Sequence, residues 1–196
     1  MSNDEQQQPA PGGGKILAAL KRAERKVFTR PAPKSAKVQV EFLLTRMKGS
    51  TKALAERLDV SRRTVERYRA GKLTTPQKRL RAALVEETES EWQPQVRTQA
   101  RQRASTSNGM MVHTVAYFGF TASGSSDDGR QRHITTAISP TYAKQILQLQ
   151  EAGATEEELH PIVAKAITES YFTDWGSRCE GLAAHFTDVQ SIEFEF

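Results

Sequence analysis

Between Phe118 and Ile138 the chain reads FGFTASGSSDDGRQRHITTAI, which sets the hydroxyls of Thr121, Ser123, Ser125 and Ser126 next to the carboxylates of Asp127 and Asp128. An alcohol beside acids can serve as a nucleophile once something takes up its proton and stabilises the leaving group. The chain carries no familiar machinery for that step. There is no G-x-S-x-G turn of the hydrolase kind, and VHTV around His113 offers one histidine where a DNA-nicking site needs two flanking an apolar residue. Gly, Ser and Asp are also the ordinary residues of exposed turns. The stretch therefore reads first as a hairpin connection, whose hydroxyls are open to chemistry that a partner would have to supply.

The flanking segments define that hairpin. MMVHTVAYFGF has the β-branched and aromatic content of a strand, and RHITTAIS is a second one. PTYAKQILQLQEAGA reads as a helix starting near Pro140 and stopping near Gly153. A further helix places Ile162, Val163, Ala166 and Ile167 on one face and is opened or kinked by Pro161. FTDVQSIEFEF closes the chain as an alternating strand. The back half is thus expected to be a small α+β domain of order ββααβ.

The front half differs in charge as well as in pattern. From Lys15 to Arg103 there are 23 Lys and Arg against 9 Asp and Glu, whereas from Ala104 to Phe196 there are 5 against 12. Such a division points to a front that seeks phosphates and a back built for a protein partner or for chemistry. GKILAALKRAERKVF forms a basic amphipathic helix, with Ile16, Leu17, Leu20, Ala23 and Val27 opposite Lys21, Arg22, Arg25 and Lys26. Pro31 and Pro33 break it, and a second helix from about Ser35 buries Ala36, Val40, Leu43, Leu44 and Met47.

TKALAERLDVSRRTVERYRA, Thr51 to Ala70, carries the sharpest local signal. A helix-turn-helix needs apolar residues where two helices meet, a small residue at the crossing and a short turn that starts the second helix at a fixed angle. Leu54, Leu58, Val60, Val65 and Tyr68 supply the apolar set, Ala55 the small residue and Ser61 the cap of the second helix. Asp59 stands where glycine is common and tolerates the left-handed conformation better than most residues. The second helix exposes Arg62, Arg63, Arg67 and Arg69, which suit either base edges or phosphates, with Lys52 and Lys72 as flanking cations. Beyond it, GKLTTPQKRLRAALVEETESEW opens a helix at Pro76 that buries Leu80, Ala83 and Leu84. Pro94 interrupts that helix, and Arg97, Arg101 and Arg103 are then placed to follow a DNA backbone or to lie in a solvated linker.

The fold class expected is α+β: an N-terminal all-α helix-turn-helix domain followed by a small ββααβ domain. The boundaries expected are a disordered tail over 1–14, the helical domain over 15–93, a basic linker or helix over 94–108 and the α+β domain over 109–196. The single Cys179 excludes an internal disulfide, and His113, His133, His160 and His185 lack metal-ligand spacing, so no metal site is expected. No apolar run reaches the length of a membrane span, which leads to the expectation of a cytoplasmic, nucleoid-associated protein without membrane contact.

From Phe28 onward the chain resembles the terminal proteins that cap linear chromosomes and plasmids of Streptomyces-type actinomycetes. The resemblance rests on FTRPAPKSA, KGSTKALAERLDVSRRTVERY, EWQPQVRTQARQRA, FGFTA followed by DDGRQRH, and FTDVQSIEFEF, in that order. It implies a protein bound to telomeric DNA and covalently joined to its 5′ ends. Such a protein primes synthesis by offering a hydroxyl to which a DNA polymerase transfers deoxycytidine monophosphate from dCTP with its own divalent metal, Mg. It also implies a telomere-bound recruiter as partner. The family's acceptor is a threonine just before the acidic pair in a loop one residue longer, which aligns with Ser125 here, with Ser126 as the alternate and Ser123 or Thr121 further off. Asp127 and Asp128 would act as supporting acids, imitating a phosphate backbone or touching metal at the edge of the cleft. The other reading is a transcriptional regulator or plasmid partition factor whose back half serves for dimerisation or effector binding, SIEFEF pairing between copies as a homodimer.

Overall fold

The computed structural model describes residues 14–121, 129–172 and 183–196, and no helix among them is long and apolar enough to cross a membrane. The expected tail over residues 1–13 lies outside them, as do Ser123, Ser125, Ser126, Asp127 and Asp128. The fold is mixed, with helices α1 (Lys15–Lys26), α2 (Ala36–Arg46), α3 (Thr51–Arg57), α4 (Arg62–Arg69), α5 (Lys78–Glu91) and α6 (Pro94–Arg103). They are followed by strands β1 (Met110–Thr121) and β2 (Arg130–Ile138), helices α7 (Pro140–Glu151) and α8 (Glu156–Ile167), and strand β3 (Ala183–Glu195). The chain divides into two compact units, Phe28–Val96 and a second that joins the segment up to Val27 with Arg97–Phe196.

The helical unit is built on α2, α3, α4 and α5. Ser35, Ser50 and Ser61 each accept a hydrogen bond from a backbone amide of the first turn of α2, α3 and α4, filling donors a helix start leaves open. Val40, Leu43 and Leu44 from α2 meet Leu54 and Ala55 from α3, Leu58 at its C-terminal cap, Val65 and Tyr68 from α4, and Leu84 from α5, all buried. The last helix begins at Lys78 with Gln77 at its cap, two residues after the expected start at Pro76.

In the second unit β1 is the central strand of an antiparallel sheet ordered β2-β1-β3. Alternation along β1 turns Met110, Val112, Ala116 and Phe118 inward, beside Ile134 and Ile138 of β2 and Phe186, Ile192 and Phe194 of β3. Ile146 and Leu147 of α7 and Leu159, Val163 and Ile167 of α8 share that core. In β3 the three residues 188–190 face the single Ala116, a bulge at which Asp188 takes a φ of +47°.

Helix α1 belongs to this unit, so the expected domain over 15–93 is corrected at its start. Ile16, Ala19, Leu20 and Ala23 are buried in the α+β core. The N-terminal amides of α1 are taken by one carboxylate of α8, with Ile16 N donating to Glu156 Oε1 at 2.8 Å and Leu17 N to Oε2 at 3.1 Å. A Cβ on Gly14 would stand 2.0 Å from Glu156 Cδ, so a larger residue there must displace the Glu156 side chain. Amphipathic spacing shows that a helix has an apolar stripe but not which core receives it. For α8, where Pro161 was expected either to open the helix or to kink it, the opening is excluded. Thr155 and Glu158 form a reciprocal capping box, and Pro161 sits inside the helix rather than opening it. The proline is exposed, so the missing N–H disturbs one backbone bond without opening a void.

Candidate nucleic-acid interface

The connection from α3 to α4 is fixed by backbone chemistry. Val60 N donates to Ala55 O at 2.9 Å and Asp59 N to Glu56 O at 3.2 Å, the paired bonds that end a helix around a left-handed residue. That residue is Asp59, at a φ of +52°. Its carboxylate also accepts from Arg79 at 2.5 Å, but both side chains are exposed, so the pair adds little stability. Ser61 then starts α4, accepting from Thr64 N at 3.1 Å and meeting Thr64 Oγ1 at 2.9 Å. The far end of α4 closes the same way, Lys72 N donating to Arg67 O at 2.9 Å around Gly71 at a φ of +69°.

With Val65 and Tyr68 buried, the remaining arc of α4 presents Arg62, Arg63, Glu66, Arg67 and Arg69 to solvent. Among the described residues, the side chains of these four arginines and of Lys72 make no hydrogen bond or ion pair. Lys52 is exposed too, 3.9 Å from Glu56 on its own helix. The helical unit holds 15 Lys and Arg against 8 Asp and Glu, and four of those acids are Glu86, Glu87, Glu89 and Glu91 at the end of α5. Arg57 of α3 pairs with Glu87 and, at 3.2 Å, with Glu91. The acids therefore gather on the last turns of α5, while α4 keeps an arginine surface that its own unit does not neutralise.

Other cations singled out in the sequence are already occupied. Arg101 donates to Glu24 Oε1 at 2.8 Å and to Gln150 Oε1 at 2.9 Å, and Arg97 lies 3.9 Å from Glu24 Oε2. This half-buried cluster ties α6 to α1 and α7, which corrects the expectation that Arg97 and Arg101 follow a DNA backbone. Arg103 stays exposed. On α1, Lys26 pairs with Glu193 at 3.2 Å and Glu195 at 3.3 Å, Arg22 donates to Ile192 O at 3.0 Å, and Lys15 donates to Val189 O. Hydrogen bonds that the Lys26 ammonium donates to Glu193 and then Glu195 hold it above its ordinary pKa. The sequence reading missed Glu24 and Glu156 as the partners that claim these positions. The T-x-x-E pattern at Thr155–Glu158 was the one available signal for the start of α8.

The hairpin bases are described although its tip is not. Pairing of β1 with β2 runs from Met110↔Ile138 to Phe118↔Arg130, after which Gly119, Phe120 and Thr121 continue along β3. The segment bearing the hydroxyls thus leaves from a strand hydrogen-bonded on at least one side as far as Thr121. On the return side a Cβ at Gly129 would fall 2.1 Å from Tyr117 Oη, so the phenol occupies the space beside the backbone there. Arg130 is exposed, and Arg132 lies over the Phe172 ring at 5.6 Å. Among the described residues no group of His, Cys, Asp or Glu is arranged to hold a metal ion.

Comparison of the chain with protein-family models, curated proteins and solved structures gives no match.

Proposed function

We propose that the chain is a protein primer for the ends of linear replicons, in which α3 and α4 act as a helix-turn-helix on telomeric DNA and the β1–β2 hairpin of a ββααβ domain presents Ser125 to a polymerase. The observation that carries the DNA-binding part is the row of unpaired arginines on α4, set at a fixed angle by Asp59 and Ser61. Guanidinium groups that need not leave an internal partner can bridge guanine or clamp phosphate at little cost. The priming part is supported by the ordered run of motifs resembling actinomycete terminal proteins and by a hydroxyl-rich segment that leaves a paired strand.

The chemistry asked of this chain is modest. The Ser125 oxygen attacks the α-phosphorus of dCTP, a phosphate ester forms, the α–β phosphoanhydride bond breaks and pyrophosphate leaves. The hydroxyl proton passes to water or to a base of the polymerase. Divalent metal bound by the polymerase activates the oxygen and stabilises the leaving group, so the primer contributes position rather than a catalytic base. Asp127 and Asp128 stand beside the acceptor as an imitation of the phosphate charge that a basic cleft expects, and Ser126 is the alternate acceptor. A telomere-bound recruiter would bring polymerase and primer together at the nucleoid. A reaction containing polymerase, recruiter, telomeric template and labelled dCTP tests this reading: label on the wild-type chain supports it. No label, under conditions that load a known terminal protein, overturns it.

A further inference from the structure

Most acids of the helical unit are held by cations of the same unit. Lys37 lies 3.9 Å from Glu41, Lys52 lies 3.9 Å from Glu56, Arg79 pairs with Asp59 at 2.5 Å, and Arg57 takes both Glu87 and Glu91. Glu66 differs. It is exposed, and among the described residues its carboxylate makes no hydrogen bond or ion pair, although Arg62, Arg63 and Arg69 stand one turn away along α4. Nor does it serve the helix dipole, because it sits beyond the first turn, where a carboxylate gains little. With about 100° between successive residues, the direction opposite the buried Val65 and Tyr68 falls close to Arg63. Glu66 and Arg67 then lie about 50° to either side of it, and Arg62 and Arg69 nearer the rim of the exposed arc.

We propose that Glu66 is a specificity determinant, accepting a hydrogen bond from the N4 amino group of a cytosine in the major groove. The inference rests on reading α3 and α4 as a helix-turn-helix, whose second helix turns its exposed face to base edges. A carboxylate on that face is repelled by phosphates, so it weakens binding to every sequence that offers it no partner. An ionised carboxylate only accepts hydrogen bonds. The major groove presents two kinds of donor, the amino groups of cytosine and adenine, and adenine's stands beside the N7 acceptor, which opposes a second negative centre. Cytosine carries no acceptor on that edge, so it is the base a lone carboxylate selects. Its guanine partner presents O6 and N7, which a guanidinium bridges. Arg63, three residues before Glu66 on the same arc, is placed for that contact. Arg62 and Arg69 nearer the rim suit phosphates, which position the helix without reading sequence.

Selection from a pool of random-sequence duplexes tests this with the full-length wild type, Glu66→Ala and Glu66→Gln. Glu66 is exposed, so neither substitution disturbs the packing of Val65 and Tyr68. Affinities of the enriched duplex and of its single-position variants are then measured by fluorescence anisotropy. The wild type should prefer cytosine at one position by roughly tenfold over the other bases. Glu66→Ala should reduce that preference to within about twofold at that position alone, keep the preferences for guanine elsewhere, and bind unrelated duplex more tightly. Glu66→Gln should move the preference toward adenine, whose N6 and N7 an amide matches. A wild type that binds duplex without a cytosine preference overturns the proposal. So do variants that keep the wild-type motif, or whose affinity rises equally for every duplex, the behaviour of a merely solvated charge. Those results leave the helix-turn-helix reading standing, whereas a wild type that binds no duplex at all overturns both.

Discussion

Helices α1 and α4 are both short, basic and amphipathic, yet their cations do opposite work. Those of α1 are taken up by their own unit, by the carboxylates of Glu193 and Glu195 and by the carbonyls of Val189 and Ile192. The arginines of α4 have no partner among the described residues. The difference lies in what each helix packs against. The apolar stripe of α1 sits on a strand that ends in alternating glutamates, whereas α4 packs in a unit whose acids collect at the end of α5. A count of charge along the chain cannot make this distinction. By units, the helical one carries 15 Lys and Arg against 8 acids, and the rest of the chain 13 against 15.

The comparison breaks most visibly if the two sets of cations affect DNA alike. Arg63→Ala with Arg67→Ala is expected to weaken binding to telomeric duplex by about 100-fold and to lower the salt slope by about two. Arg22→Ala with Lys26→Ala should leave affinity within about twofold. Fluorescence anisotropy across a salt series reads both. Next in size, Leu20→Ala should cost roughly 2–5 kcal/mol of stability in the α+β unit alone. Hydrogen exchange on the whole chain would then show protection falling in β1 and β3 while α3 and α4 hold theirs. Gly14→Ala should cost about 1–3 kcal/mol, because the added methyl collides with Glu156 and the carboxylate must leave the amides of Ile16 and Leu17. Thermal melts of this variant beside Glu156→Gln separate the collision from the lost cap.

The smallest effect concerns Lys26. Its pKa is raised in the folded chain, so its contribution is fully present below the ordinary value of 10.5 and is lost as pH rises through the higher folded value. The side chain is exposed, so the alkaline loss is slight. Glu193→Gln should bring the amine's titration back toward the ordinary value, as followed by NMR.

What could be read in the sequence was what local chemistry decides. Asp59 at a left-handed turn, Ser61 as a cap and the buried set of Leu54, Leu58, Val65 and Tyr68 all lie within twenty residues of one another. What escaped depended on distant partners. The stripe of α1 is filled largely by residues more than a hundred positions away, and Arg101 finds Glu24 and Gln150 across gaps of 77 and 49 positions. At α8, Pro161 left open whether it starts or kinks the helix, and the capping box at Thr155 is the signal that sets the start. The acceptor hydroxyl is a different case. Residues 122–128 lie outside the described structure, so the choice of Ser125 rests on sequence alone.

The most direct test of the account is therefore peptide mass mapping of the chain after a priming reaction with polymerase, recruiter, template and dCTP. The account predicts deoxycytidine monophosphate on the Ser125 side chain, lost in Ser125→Ala and retained in Ser126→Ala. A nucleotide attached outside the hairpin tip, or an unmodified chain from a reaction that loads a known terminal protein, would contradict it.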